Sequence, residues 1–237
     1  MKISGLQKTT LLDYPGKVAC TVFIGGCNFR CPYCHNASLV LDDKRMLLQE
    51  ELMTFLDKRK GILDGVCITG GEPLIHEGIQ DLVQMIKEKG FLVKLDTNGS
   101  FPEKLITLVE QGLVDYVAMD VKNSFDRYQL ATGCDSLKFE RIRQSIDYLL
   151  EDHVSYEFRT TLVKGLHSVE DIRAIGRMLK GAKRYFIQNY EDSGDIIATR
   201  MGKVEGYSSF SEEELFYFKE EIRENVSTVE IRGVEKK

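Results

Sequence analysis

Val18-Ala19-Cys20-Thr21-Val22-Phe23-Ile24 runs directly into Gly25-Gly26-Cys27-Asn28-Phe29-Arg30-Cys31-Pro32-Tyr33-Cys34-His35-Asn36. The first seven residues are mostly apolar and rich in β-branched side chains, so they read as a buried strand. Paired glycines end it. Three cysteines follow, spaced Cys-x3-Cys-x2-Cys. One short loop at the end of a strand can wrap three thiols around a metal centre, and thiolates suit iron–sulfur clusters. Ferredoxin-type runs supply four cysteines and saturate every iron. Three leave one iron without a protein ligand, and an open position is what a catalytic metal needs. A zinc site is the alternative, but it calls for a fourth Cys or His in a second pair. His35, directly after Cys34, is awkwardly placed for the same tetrahedron.

Outward from this loop, short apolar runs alternate with amphipathic ones. Strands are expected at 18–24, 66–69, 91–96, 116–121, 156–162 and 184–188. Helices are expected at 47–60, 78–89, 103–111, 138–152, 168–179 and 211–225. The 138–152 helix carries Phe139, Ile142, Ile146, Leu149 and Leu150 on one face. Ser168 with Asp171, and Ser211 with Glu214, have capping-box spacing. Strand–helix alternation repeated six times builds a parallel sheet with helices outside it. The fold class is therefore α/β, a partial (β/α)6 TIM-like barrel of parallel strands with outer helices; a doubly wound open sheet is the competitor. No linker divides the chain. It reads as one domain over 1–237, with a core at about 15–190 and a C-terminal extension at about 191–237.

The 237 residues are 43% hydrophobic and 29% charged, and the net charge is −5. An acidic balance argues against nucleic acid as a partner, since phosphate binding needs a clustered basic surface. No apolar stretch is long enough to cross a bilayer, and the first ten residues lack a secretion pattern, so a cytoplasmic location without membrane association is expected. In that compartment six cysteines point to metal binding rather than disulfides.

In either candidate fold, chemistry gathers at the C-terminal ends of the strands. Gly70-Gly71-Glu72-Pro73 follows the second strand; its glycines permit close backbone approach to a ligand, and Glu72 offers a carboxylate to an ammonium. Asp96-Thr97-Asn98-Gly99 ends the third strand and Asp120-Val121-Lys122 the fourth. Asp96 and Asp120 suit a hard cation or a ribose. Arg159, inside the fifth strand, either reaches a bound ligand or substrate or pairs with carboxylates of the barrel.

The cysteine loop resembles the signature of the radical S-adenosylmethionine (SAM) superfamily. That resemblance implies a 4Fe–4S cluster on Cys27, Cys31 and Cys34, whose open iron chelates the methionine end of SAM, and reductive cleavage of SAM to a 5′-deoxyadenosyl radical. It places Tyr33 near the adenine and Gly70, Gly71 and Glu72 at the methionine amino group. It also implies SAM contacts through Asp96, Thr97, Asn98, Asp120 and Lys122, with Lys122 at the SAM carboxylate, and a monovalent cation on Asp96, Thr97 and Asp120. The opening Leu12-Asp13-Tyr14-Pro15-Gly16-Lys17, with the Cys-His-Asn end of the loop, looks like activating proteins of anaerobic ribonucleoside-triphosphate reductase. Pyruvate formate-lyase activating enzymes share Cys-His-Asn. The implied reaction is hydrogen abstraction from a backbone glycine of a large glycyl-radical enzyme, with flavodoxin or ferredoxin as electron donor.

Two departures bear on this. Residues 37–67 hold only Cys67, so no second cluster is expected. Formate-lyase activases carry a late His, where this chain has Gln188-Asn189-Tyr190, which favours the reductase activase. A small-molecule radical SAM enzyme such as a 7-carboxy-7-deazaguanine synthase is a further alternative; an electron carrier or zinc module is a third class. Residues 203–207 faintly resemble a glycyl-radical loop but read as a simple turn. Cys20 and Cys67 are expected in the core, His76, His153 and His167 at the surface or in loops, and Cys134, in a Gly-Cys-Asp loop, is unassigned.

Overall fold

The computed structural model describes residues 3–41, 47–192, 194, 196–202 and 206–233. In chain order the elements are β1 (Ile3–Thr10), β2 (Ala19–Ile24), α1 (Ala37–Leu41), α2 (Gln49–Asp57), β3 (Gly65–Gly70), α3 (Ile79–Glu88), β4 (Leu92–Thr97), α4 (Pro102–Glu110), β5 (Tyr116–Asp120), α5 (Tyr128–Thr132), α6 (Phe139–Leu150), β6 (Ser155–Leu162), α7 (Val169–Met178), β7 (Arg184–Asn189), α8 (Ile197–Arg200), α9 (Glu212–Arg223) and β8 (Thr228–Arg232). The six expected strands are β2 to β7. Each is followed by its expected helix: α2, α3, α4, α6, α7 and α9. The capping boxes at Ser168 and Ser211 both form.

All eight strands belong to one sheet in the order β1 to β8. β2 to β8 run parallel, and β1 is antiparallel to β2. Neighbours in the sheet are neighbours in the chain, so the strand order never reverses. A doubly wound sheet requires such a reversal. The sheet winds one way as a partial barrel and stays open between β1 and β8. β1 and β8 lie outside the 15–190 stretch read as the core; β8 alternates polar and apolar residues over only five positions, and the burial along β1 breaks off into three exposed residues, Gln7, Lys8 and Thr9.

Period-two alternation sorts each strand between two environments. Val22 and Ile24, Val66 and Ile68, Val93 and Leu95, Val117 and Met119, and Tyr185 and Ile187 face the helices and form the core with Leu52, Leu82, Leu105, Ile146 and Ile172. The alternate positions face inward: Thr21, Thr69, Lys94, Asp96, Asp120, Arg159, Thr161 and Gln188. A closed barrel fills this space with branched apolar layers. Here the inner face is polar, which makes it a site. At the N-terminal ends of the strands the interior is stopped by Tyr14, Ala19 and Tyr116, the two rings 6.0 Å apart. No helix among the described residues is long and apolar enough to cross a membrane.

Candidate cofactor and active site

A cavity of about 300 Å³ opens at the C-terminal ends of the strands. Cys27, Cys31, Cys34, Tyr33, Gly70, Gly71, Asp96, Thr97, Asn98, Asp120, Lys122 and Arg159 all line it. Of the residues expected from sequence, Glu72 alone does not.

The cysteine loop is held on every side by backbone hydrogen bonds. Gly26 N donates to Leu39 O of α1 at 2.8 Å, and Arg30 N to Thr132 O at the end of α5 at 2.8 Å. Gly133, left-handed at φ 56°, follows α5; a Cβ there would lie 2.5 Å from Arg30 O, so only glycine lets the two loops meet. From the far end of the chain, Ile197 N donates to Cys34 O at 3.2 Å and Ala198 N to Pro32 O at 2.9 Å. Sequence reasoning missed this contact: α8 has four residues and no motif. Asn98 Nδ2 donates to Asn28 Oδ1 at 3.0 Å, joining the loop to the rim after β4.

No disulfide links any of the six cysteines. Burial pushes the Cys27 thiol up to about 11 and Cys31 up to about 12. Bound metal reverses that preference, because its charge deprotonates a coordinating thiol outright. Phe29 N already donates to Cys27 Sγ at 3.4 Å, and hydrogen bonds of that kind set the potential of iron–sulfur centres. Three thiols from one loop, facing one cavity beside a polar rim, fit a cluster with an open iron.

Glu72 sits elsewhere than expected. Its side chain is fully buried. Oε1 accepts from Leu74 N at 3.0 Å and Thr97 Oγ1 at 2.9 Å, and Oε2 from Asn98 N at 2.6 Å. Burial pushes its carboxyl up to about 7 against these donors. The carboxylate expected to meet an ammonium is thus committed to the protein: it ties the Gly70–Pro73 turn to the loop after β4. Gly71 has a comparable local reason. Its N–H donates to Ile24 O at 2.8 Å, and a Cβ on it would lie 1.8 Å from Gly26 O. The turn presses against the cysteine loop too closely for any side chain.

The inner face holds a chain of charges. Arg159 donates from Nε to Asp120 Oδ1 at 2.8 Å and from Nη1 to Asp96 Oδ2 at 3.2 Å. Lys122 Nζ donates to Asp120 Oδ2 at 3.0 Å. Lys94, 2% exposed, pairs with Asp96. Burial disfavours the ionised forms of Asp96 and Asp120, but Arg159, with Lys94 and Lys122, outweighs it and holds both carboxyls below the usual range. Arg159 therefore does what the simpler of its two readings required: it pairs with barrel carboxylates. The cation and ribose roles expected of Asp96 and Asp120 meet two carboxylates that already face three protein cations. Lys94 was missed, although its position two residues before Asp96 on an expected strand puts both on one face.

Tyr33 is 5% exposed, and its hydroxyl has no hydrogen-bond partner among the described residues. Its ring meets His167 edge-on at 6.4 Å. His167 lies in the loop between β6 and α7, as expected, and is buried there: Nδ1 accepts from Val163 N at 3.1 Å, so Nε2 carries the proton and donates to Lys122 O at 2.9 Å. Cys67 is buried as expected, but in polar company, 3.7 Å from Lys94 Nζ and 3.8 Å from Asp96 Oδ1. Cys20 lies in the apolar core. His153 is exposed beside Glu151, whereas His76 is half-buried and donates to Gly25 O at 2.8 Å. Cys134 is half-buried, 3.8 Å from Ser136 Oγ. In the segment 203–207, residues 203–205 lie outside the described residues.

The family model described as "Radical SAM superfamily" matches residues 21–179. A Methanocaldococcus jannaschii protein named among the glycyl-radical enzyme activating enzymes is 38% identical over 80% of this chain and 80% of its own length. Pyruvate formate-lyase-activating enzyme of Clostridium pasteurianum is 28% identical, over 77% of each chain. 7-Carboxy-7-deazaguanine synthase of Methanopyrus kandleri is also 28% identical, over 65% of this chain and 70% of its own. Among solved structures, Streptococcus suis SuiB bound to precursor peptide SuiA superposes with a TM-score of 0.71 at 16% identity, over 91% of this chain and 48% of that one. That likeness is one of fold.

Proposed function

This chain belongs to the radical SAM superfamily, and from that premise we propose that it activates a glycyl-radical enzyme by taking a hydrogen atom from one backbone glycine of that partner. It is an enzyme that uses a 4Fe–4S cluster and SAM. When bound, the reduced cluster supplies the electron that cleaves SAM to methionine and a 5′-deoxyadenosyl radical. The residues of this chain hold and position those groups. Cys27, Cys31 and Cys34 would ligate three irons of the cluster. Gly70 and Gly71 would offer bare backbone to the methionine end, and Tyr33 would offer the adenine a ring and a hydroxyl that has no partner among the described residues. Lys122, kept charged by Asp120, provides positive charge for the SAM carboxylate. His167 and Glu72 act behind this surface: one grips the backbone of Lys122, the other the loop bearing Thr97 and Asn98.

The observation that carries the proposal is the 38% identity to an activating enzyme over four-fifths of both chains. The proposed partner is an anaerobic ribonucleoside-triphosphate reductase, supported by the opening around Asp13 and by the stretch Gln188-Asn189-Tyr190, in the region where formate-lyase activases carry a late His. The proposed donor is a flavodoxin or ferredoxin, and the proposed location is the cytoplasm. The test is electron paramagnetic resonance on anaerobically reconstituted, reduced protein mixed with SAM and the host's reductase. A glycyl-radical doublet on the reductase supports both activity and partner. Deoxyadenosine without a doublet rejects that partner and directs the search to formate-lyase-type enzymes and then small molecules.

A further inference from the structure

We infer that Gln188, with Gln7 across the opening, reads the backbone amides of the substrate. This rests on the proposed activation of a protein glycine and names the residues that select a peptide. The cavity has two unlike walls. One is the cysteine loop and the charged β4–β6 rim. The other is built from the inner faces of β1, β2, β6 and β7: Gln7, Thr21, Phe23, Thr161 and Gln188, with Asp13 behind them. It lies beside the gap between β1 and β8, where a chain from outside can enter.

Polar groups on the inner face are nearly all engaged within the protein. Thr21 Oγ1 donates to Asp13 Oδ2 at 2.5 Å, and Thr69 Oγ1 to Asp96 Oδ2 at 3.0 Å. Gln188 differs: half-buried against the cavity, its carboxamide makes no hydrogen bond to the described residues. Among the described residues Gln7 uses only Nε2, on Thr9 O at 3.3 Å, and its oxygen accepts nothing there. A carboxamide presents one acceptor beside two donors, the complement of a peptide group.

Charge on this wall narrows the substrate class. The cations that line the cavity are committed to its carboxylates: Lys122 to Asp120, and Arg159, two residues before Thr161 on the same face of β6, to Asp120 and Asp96. Arg232, the register partner of Gln188 on β8, points away: it pairs with Glu157 at 2.9 Å and covers the Phe186 ring at 3.7 Å. Among the described residues a phosphorylated small molecule therefore finds no unengaged cation here and meets Asp13. A neutral peptide backbone finds two carboxamides and a hydroxyl.

The test uses the reconstituted full chain and a capped pentapeptide, Ala-Ala-Gly-Ala-Ala, with deuterium on the glycine Cα. Transfer of deuterium into 5′-deoxyadenosine gives kcat and KM for the peptide, and iron content with cluster absorbance reports folding. Gln188→Ala is expected to raise the peptide KM about tenfold with kcat little changed, as loss of one ligand hydrogen bond should. Gln188→Glu, which loses the donor and adds charge, should raise it at least as far. Depsipeptides that replace one amide N–H at a time by an ester oxygen close the test: one of them should cost the wild type a similar factor and cost Gln188→Ala nothing more. An unchanged KM in a properly loaded Gln188→Ala, or ester and substitution effects that multiply at every position, overturns the inference while leaving glycine activation standing. Absence of deuterium transfer in the wild type, with SAM still cleaved, counts against the parent proposal and removes this one with it.

Discussion

The Glu72 carboxylate accepts the Asn98 amide N–H at 2.6 Å inside the protein. The turn after β3 and the loop after β4 are thus joined by a side chain that never reaches the cavity. Glu72→Ala leaves three buried donors, on Leu74, Thr97 and Asn98, without their acceptor. Each such orphan costs about 1–3 kcal/mol. Urea denaturation is expected to show a loss of roughly 3 kcal/mol or more, and equilibrium binding a weaker grip on SAM. Wild-type stability in this variant rejects the tie.

Gly71→Ala should damage both cofactor sites. The added Cβ would lie 1.8 Å from Gly26 O and 3.3 Å from Cys27 Cβ, so the cysteine loop must shift. Iron per chain after reconstitution and SAM affinity are expected to fall together. Full iron with weakened SAM binding would mean that the glycine serves only the ligand.

Cys31 carries the least exposed thiol of the loop, at 7% for the residue. Cys31→Ala removes one of three ligands, and cluster absorbance and iron content should be lost. Iron content and spectrum equal to the wild type would show that the ligand set is wrong.

Tyr33→Phe should act in opposite directions on the empty and the loaded protein. The hydroxyl has no partner among the described residues, and an unsatisfied buried polar group costs about 1–3 kcal/mol. Thermal melts without SAM should rise or hold, whereas SAM affinity should drop. A lower melting temperature without ligand would reveal a partner inside the fold.

His167 predicts an acid limb in stability. Burial lowers its pKa from 6.5, and protonation would sacrifice the Val163 N–H bond to Nδ1. Below 6.5 the unfolded chain takes up a proton that the folded chain refuses, so stability falls as pH falls. Between about pH 7 and about pH 5, His167→Gln should lose less stability than the wild type. Parallel slopes in denaturant titrations would assign the acid limb to other groups.

Much of the site was legible because its signals are local. Cys27, Cys31 and Cys34 fall within one loop, and alternation along each strand fixes which residues share a face. Gly70, Asp96, Asp120 and Arg159 therefore converge once the strands are parallel. Glu72 was misplaced because its motif says nothing of which donors lie behind the turn. His167 lies in a loop as expected, but a lone loop histidine gives no sign of burial; only the approach of Val163 and Lys122 supplies it.

By itself the sequence determined the six strand–helix units, their parallel arrangement, the three-thiol loop and the end of the sheet where chemistry occurs, since periodicity and spacing are properties of neighbours along the chain. Tertiary structure alone decided that β1 and β8 extend the sheet, that Arg159 bridges Asp96 and Asp120, that Ile197 and Ala198 grip the cysteine loop, and that Gln7 and Gln188 line one cavity. Those pairs join residues whose partners are set by how strands register and how a polar inner face neutralises its charges, and neither is written in any single stretch of sequence.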